Sequence, residues 1–262
     1  MRIATWNVNS IRQRQDHLLA FLAEAKPDVL CLQELKTTQE NVPTGAIEDA
    51  GYNLAVHGQK AYNGVAILSR HPIEDVRTGL PGDDSDEHAR YIEAVISRDG
   101  EAIRVASIYL PNGNPIDDDR KFPYKLAWMD RLIAHARGLL ADEEIFVLAG
   151  DYNVIPEPRD AAKPQAWVND ALFQPETRAR WRALEALGLT DALRACDDAD
   201  GLYTFWDYQA GAWQRNNGIR IDHLLLSPRA ADRLAGAAIH KHVRSWEKPS
   251  DHVPVSVDLN LT

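Results

Sequence analysis

A chain of 262 residues with 45% hydrophobic content can fill one large core, and no proline- or serine-rich linker divides it, so a single domain over residues 1–262 is expected. The opening MRIATWNVNS lacks the apolar stretch of a signal peptide, and no apolar run approaches the ~18 residues of a membrane span. Two isolated cysteines, Cys31 and Cys196, exclude a disulfide framework and a CxxC zinc site, and they fit a reducing, cytoplasmic setting.

Strand-like runs then recur along the chain: RIATWNV, DVLCLQE, NLAVHG, GVAILS, RYIEAVIS, IRVASIYL, IFVLAGDYN, YTFWDY, IRIDHLLLS and HVPVSVDL. Each is short, rich in Val, Ile, Leu or aromatics, and bounded by turn formers. Asn63-Gly64 and Asp99-Gly100 read as hairpin turns, since both dipeptides tolerate the positive φ such turns require. Helical periodicity appears in three places. Leu18, Leu19 and Leu22 form a stripe between Gln15 and Ala25, and Leu126, Met129, Ile133, Ala136 and Leu140 form a second. Trp181, Leu184 and Leu187 form the third, with Gly188 as its stop. Many strands, few helices and several hairpins predict stacked mixed sheets flanked by helices, an α/β (α+β) sandwich rather than a doubly wound parallel sheet. GxGxxG, a Walker A loop and an internal repeat are all absent.

The net charge of −10 is unevenly placed. Asp83, Asp84, Asp86, Glu87, Asp117 to Asp119, Asp197, Asp198 and Asp200 equal the whole excess of 39 acids over 29 bases. Such runs are ordinarily solvated loops, so a neutral or basic binding face elsewhere stays open.

The chemistry lies where strands end. RIATW runs into Asn7 and Asn9, DVLCLQ ends in Glu34, VASIYL carries Tyr109 and stops at Pro111-Asn112, and IFVLAG ends in Asp151 with Asn153 two residues on. Any one of these reads first as a turn or helix cap. Asp222 is different. It sits in an apolar run, IRIDHLLL, where an unpaired carboxylate costs several kcal/mol, so it requires a partner, and a histidine is the natural one. The last strand opens on Asp251 and His252. A rim gathering Asn7, Glu34, Asp151, Asn153, Asp222, Asp251 and His252 would hold four mutually repelling carboxylates unless a cation intervened. Oxygen ligands select Mg²⁺, Mn²⁺ or Ca²⁺ over zinc, and a hard cation with open positions engages phosphate oxygens. That combination points to phosphoryl transfer or hydrolysis.

With these residues assembled, the sequence resembles the exonuclease III family of the endonuclease/exonuclease/phosphatase superfamily, whose members are magnesium-dependent and repair DNA. The resemblance spans nearly the whole chain, through TWNVNSIR, PDVLCLQELK, GYNLAVHGQKAYNGVAILS, IYLPNG, KFPYK, LAGDYNV, YTFWDY, IRIDHLLLS and EKPSDHVPV. It implies a four-layered sandwich of two mixed sheets packed face to face. It implies a Mg²⁺ site, open also to Mn²⁺, built on Glu34 with Asn7, Asp251, Asp151, Asn153 and His252 around it. Asp151 would orient or deprotonate the attacking water, Asn153 would donate to the phosphate, and Tyr109 would meet the phosphate or leaving oxygen. His252 would be held by Asp222 and would contact the scissile phosphate. The choice of general base between Asp151 and His252 stays open at this level.

The resemblance further places Lys36, Arg90, Asn112 and Lys121 near DNA phosphates. It places Phe205, Ile219 and Ile221 in the apolar pocket that receives a flipped abasic sugar. The expected activity is 3′→5′ exonuclease on double-stranded DNA with abasic-site incision and cleaning of blocked 3′ ends, by a monomer without membrane contact. Residues 156–176 depart from the family pattern, which leaves the balance of exonuclease and abasic-site cleavage open. A phosphatase of lipids or inositol phosphates would share the polar core, but KFPYK, YTFWDY and IRID resemble the DNA-repair branch. A catalytically dead binding module would have lost one of these positions, and none is missing.

Overall fold

Short apolar runs punctuated by turn formers become strands because a pleated, half-buried surface suits β-branched and aromatic side chains. The computed structural model describes residues 1–261. In chain order its strands are β1 (Arg2–Asn7), β2 (Val29–Gln33), β3 (Asn53–His57), β4 (Val65–Ser69), β5 (Ile73–Thr78) and β6 (Tyr91–Arg98). There follow β7 (Glu101–Tyr109), β8 (Phe146–Asp151), β9 (Thr190–Asp191), β10 (Asp222–Leu226), β11 (Leu234–Ile239) and β12 (Val255–Leu259). They form two six-stranded mixed sheets, ordered β11-β12-β1-β2-β4-β3 and β5-β6-β7-β8-β10-β9.

The sheets pack face to face through Ile3, Val29, Cys31 and Ile67 on one side and Ile92, Val105, Val147 and Leu224 on the other. The outer face of the first sheet buries Trp6, Leu30 and Leu68 against Leu18, Phe21 and Leu22 of the helix Gln15–Ala25. The outer face of the second buries Ile108, Leu148 and Leu225 under the helices Lys121–Ala141 and Pro175–Ala186. Helix, sheet, sheet, helix is the expected four-layered sandwich. Each fully buried Leu, Ile or Val contributes about 1.5–3 kcal/mol, so these three interfaces are the main source of stability.

Several local expectations need correction. YTFWDY is not a strand; Phe205 makes only isolated bridges to Ile219 and His252, because this segment crosses the rim instead of lying in a sheet. The Asp99-Gly100 turn is a two-residue hairpin loop with φ of 52° and 87°, but Asn63-Gly64 closes a longer connection between β3 and β4. The long helix starts at Lys121, and its buried face is Trp128, Met129, Leu132, Ala136 and Leu139 rather than the Leu126–Ile133–Leu140 stripe. Its face is rotated because it packs on the sheet and on the helix Pro175–Ala186 together. β5 and β11 were not anticipated at all. β5 is an edge strand with mostly exposed side chains, and β11 is an edge strand built from Leu, Ala, Gly and Ile, so neither carries a strong apolar alternation.

One topological fact positions everything that follows. β1 and β2 are parallel and end on the same rim, as do β7 and β8, while β10 and β12 run antiparallel to β8 and β1 and begin there. Gly150 secures the register on the second sheet: a Cβ there would lie 2.0 Å from the Ile108 carbonyl oxygen, so no larger residue fits before Asp151.

Beneath that rim His223 is sealed between the rings of Trp181 and Tyr152. Arg220 can only donate, so His223 Nδ1 accepts from it at 3.1 Å and Nε2–H donates to the Val154 carbonyl at 3.0 Å. Burial, reinforced by Arg220, pushes its pKa down from 6.5 to about 4. The unfolded chain therefore takes up a proton that the folded chain refuses, and stability is lost as pH falls from about 6.5 toward 4. Between pH 7 and pH 5 this one group is expected to remove about 2 kcal/mol. Urea unfolding checks it: His223→Gln, which does not titrate, should lose about 2 kcal/mol less than the wild type over that interval. Equal losses in both proteins would disprove the assignment.

Candidate active site

Strand ends from both sheets supply the centre. Asn7, the last residue of β1, donates its amide to Glu34 Oε1 and to Asp151 Oδ2, both at 2.9 Å, and so ties the two sheets together. The Asn7 side-chain oxygen is turned the other way, accepting from the Asn9 backbone at 3.0 Å. Asp151 pairs in register with Tyr109 on one side and with Asp222 on the other, so these three residues lie abreast on neighbouring strands. Its second oxygen accepts from the Asn153 backbone at 2.9 Å.

The partner required by Asp222 is His252. Its Nδ1 lies 2.9 Å and 3.1 Å from the two Asp222 oxygens, and Nε2 faces Asp151 Oδ2 at 3.7 Å. Thr204 completes the support, donating its hydroxyl to Asp222 at 2.6 Å while accepting from the Ile221 and Asp222 backbones at 3.2 Å. Every group in this triad is buried.

Electrostatics divide the roles. Burial works against a charged His252, but the Asp222 and Asp151 carboxylates outweigh it and raise its pKa, so the ring is an imidazolium donor. Burial also raises the pKa of Asp151, and the charge of Asp222 adds to that, while His252 opposes it. Glu34 moves the other way: burial would raise it, yet Lys36 and the Asn7 amide hold it below its ordinary value. Burial, with Glu34 and Asp151 beside it, keeps the Tyr109 hydroxyl protonated far above its usual range.

The donor set suits a divalent cation. One oxygen from each of Glu34 and Asp151 lies within 4.8 Å of the other, and the His252 nitrogen in the same cluster, being protonated, faces the site as a donor rather than as the expected ligand. Asp251 stands at the edge of this group, accepting from Asn9 at 3.1 Å. Non-glycine residues with positive φ crowd here, with Asn9 at 44°, Glu34 at 53°, Lys36 at 53° and Asn153 at 47°. Such conformations cost energy and persist where the surrounding structure enforces them.

The pocket in front of these groups has a volume of about 360 Å³. Tyr109, Asn112, Asn153, Phe205, Ile219, Ile221, Asp251 and His252 line it, so the expected apolar trio does meet the polar centre. Asn112 donates to Asn153 Oδ1 at 3.1 Å, and Asn153 donates to the Leu110 carbonyl at 2.9 Å. The cationic expectations fare differently. Lys36 folds onto Glu34 at 2.7 Å and Asn9 at 2.5 Å, within the centre itself. Arg90 stacks its guanidinium over the Tyr109 ring at 4.8 Å. Lys121 stays on the surface near Asp118 and outside the pocket.

Four contributors were given no role from the sequence. Asn9 bonds Lys36, Asp251 and Tyr208. Lys125 is fully buried and donates to the carbonyls of Pro111 (3.0 Å) and Asn153 (2.7 Å), tying two rim loops together. KFPYK contained it, but nothing in that motif marks which lysine turns inward. Trp167 and Leu172, from the segment that departs from the family pattern, complete the apolar wall.

Comparison with known proteins gives the family and the fold. The model of the endonuclease/exonuclease/phosphatase family matches residues 4–252. The chain is 31% identical to exodeoxyribonuclease III of Haemophilus influenzae, over 97% of this chain and 98% of that protein. It is 30% identical to an exodeoxyribonuclease of Bacillus subtilis over the full length of both. Among solved structures, a 3′ phosphatase from Neisseria bound to a product DNA hairpin superposes with a TM-score of 0.94 at 37% identity, covering both chains completely. An AP endonuclease from Archaeoglobus fulgidus superposes equally well, with a TM-score of 0.94 at 37% identity and full coverage of both chains.

Proposed function

The chain belongs to the endonuclease/exonuclease/phosphatase family, and on that premise we propose that it is a Mg²⁺-dependent DNA-repair nuclease. It removes nucleotides from 3′ ends of double-stranded DNA, cleans blocked 3′ ends and incises abasic sites. The observation that carries this reading is the meeting of Glu34, Asp151 and the Asp222–His252 pair with a small apolar pocket lined by Phe205, Ile219 and Ile221. A sugar without a base suits such a pocket.

Glu34 and Asp151 are the carboxylates that would hold the metal, with Asn7 orienting both. The bound ion supplies charge neutralisation at the phosphate, and Mn²⁺ can replace Mg²⁺ because both take oxygen ligands. The chain's own groups do the rest. His252, held charged by Asp222, donates to a non-bridging phosphate oxygen and has no free basic nitrogen. Asp151 is therefore the group that orients the attacking water and takes its proton. Asn153 and Asn112 steady the phosphate from the two rim loops that Lys125 ties together, and the protonated Tyr109 hydroxyl donates toward the reacting oxygens. Lys36 and Arg90 add positive charge beside this path.

One chain carries the whole proposed site, so we take the working unit to be a monomer, with the described residues 1–261 folded as one domain. No helix among the described residues is long and apolar enough to cross a membrane. Cys196 is an exposed free thiol, which fits a cytoplasmic enzyme.

The test is a labelled duplex carrying one abasic-site analogue and a recessed 3′ end. Incision at the analogue and shortening from the 3′ end are expected with Mg²⁺ and should vanish in EDTA. Binding should weaken steeply as salt rises, because phosphate contacts release counterions. A duplex left intact at both positions in Mg²⁺ would refute the nuclease reading.

A further inference from the structure

A second compartment of about 280 Å³ adjoins the catalytic pocket and shares Trp167, Phe205, Asp207 and Ile219 with it. Phe205 fixes how near the two spaces lie. Its ring meets the His252 imidazole edge-on at 5.0 Å between centroids, and its backbone is bonded in both directions to Ile219 at 3.0 Å. Trp167 stands on the short turn Pro164–Trp167, whose loop is tied back through Asn114 to Asp170 (3.0 Å) and to the Ala171 backbone (2.9 Å). Both rings are only partly buried, so each has a face left to offer.

The lining selects what can enter. Two aromatic rings with Ile219 and Ala212 supply its apolar lining, and every nucleobase has a π-face that can stack on such rings. Gln209 and Asn217 stand at its edge, and neither side-chain amide has a partner among the described residues. An amide both donates and accepts, so this pair can meet the edge of any base. The one ionisable group in the lining is the Asp207 carboxylate, and no lysine or arginine accompanies it. A phosphate is therefore disfavoured there, and a base is not.

We propose that this compartment seats the base of the 3′-terminal nucleotide while that nucleotide is removed; the assignment rests on the nuclease reading above. Water's oxygen bonds to phosphorus, the P–O3′ bond breaks, and the proton given up by water is balanced at the departing 3′-oxygen. The released nucleotide keeps its 5′-phosphate. Its sugar occupies the catalytic pocket against Leu172, Ile219 and Ile221, and its base passes between Trp167 and Phe205. A base seated there has left the helical stack, so unpaired termini are preferred over paired ones.

The full-length chain with Mg²⁺ is compared on three duplexes that differ only at the 3′ end: an unpaired nucleotide, a baseless sugar and a bare phosphate. Asn217→Trp fills the compartment. Release of the base-bearing nucleotide should fall about tenfold relative to the two baseless ends. Equal losses at all three ends, or an unchanged ratio, overturn the proposal, whereas a wild type inactive on all three ends overturns the nuclease reading instead. Binding gives an independent readout. In EDTA, the fluorescence of a 3′-terminal 2-aminopurine should be quenched by the wild-type protein and much less by Trp167→Leu; quenching that is absent, or equal in both, also overturns it.

Discussion

Asp151→Asn is expected to lower the rate of phosphodiester hydrolysis by about three to four orders of magnitude while leaving DNA affinity within a few-fold of the wild type. The substitution changes one oxygen to an amide in a fully enclosed site. Both oxygens are committed, one to the Asn153 backbone at 2.9 Å and one to the Asn7 amide at 2.9 Å. An asparagine satisfies the first through its oxygen but then presents an NH₂ group to the Asn7 donor. It cannot accept a proton from water, and it is a weaker ligand for a hard cation. The loss falls on the chemical step, because the substitution removes no lysine or arginine from the proposed DNA face.

Stability separates this outcome from simple unfolding. Asp151 stands beside the buried Asp222 carboxylate, whose charge helps to raise its pKa. Removing one of two like charges relieves repulsion and offsets the cost of the two amide donors that meet at Asn7, so the variant should stay folded and melt within a few degrees of the wild type. A folded Asp151→Asn protein that kept more than about a tenth of the rate would remove Asp151 from water activation.

Much of this centre was legible because strand ends carry a polar residue only with a reason. Asp222 announced its partner through the cost of an isolated carboxylate between Ile221 and a leucine run, and His252 met it. Asn7, Glu34 and Asp151 could be grouped once the strand ends of paired sheets were expected to converge on one rim. What escaped depended on tertiary placement. Asn9 looked like a second turn residue after β1, yet its positive φ turns its side chain into contact with Lys36 and Asp251. Trp167 lies on a loop without periodicity, and only the Asn114 bonds to Asp170 and Ala171 bring that loop to the pocket. The aromatic run YTFWDY imitated a strand because bulky residues that wall a pocket and those that fill a sheet have the same composition.

Asp222→Asn tests the other half of the centre, and a loss of about two to three orders of magnitude in kcat is expected with little change in KM. The expectation follows from Thr204. Its hydroxyl oxygen already accepts from the Ile221 and Asp222 backbones, so its proton must point at the carboxylate, which accepts it at 2.6 Å. An asparagine must therefore keep its oxygen on the Thr204 side. Its NH₂ group then takes the position of the other oxygen, 3.1 Å from His252 Nδ1. The retained oxygen still accepts from Nδ1 at 2.9 Å, but the imidazolium loses the negative charge that outweighed its burial. The ring stays packed against Phe205, so its place is kept while its charge is not. Nitrogen NMR of histidine-labelled protein distinguishes this from displacement of the ring. At neutral pH the wild type should show a His252 signal with both nitrogens protonated, and the variant should show a neutral ring. A variant that retained both the charged ring and the full rate would show that Asp222 is dispensable to His252.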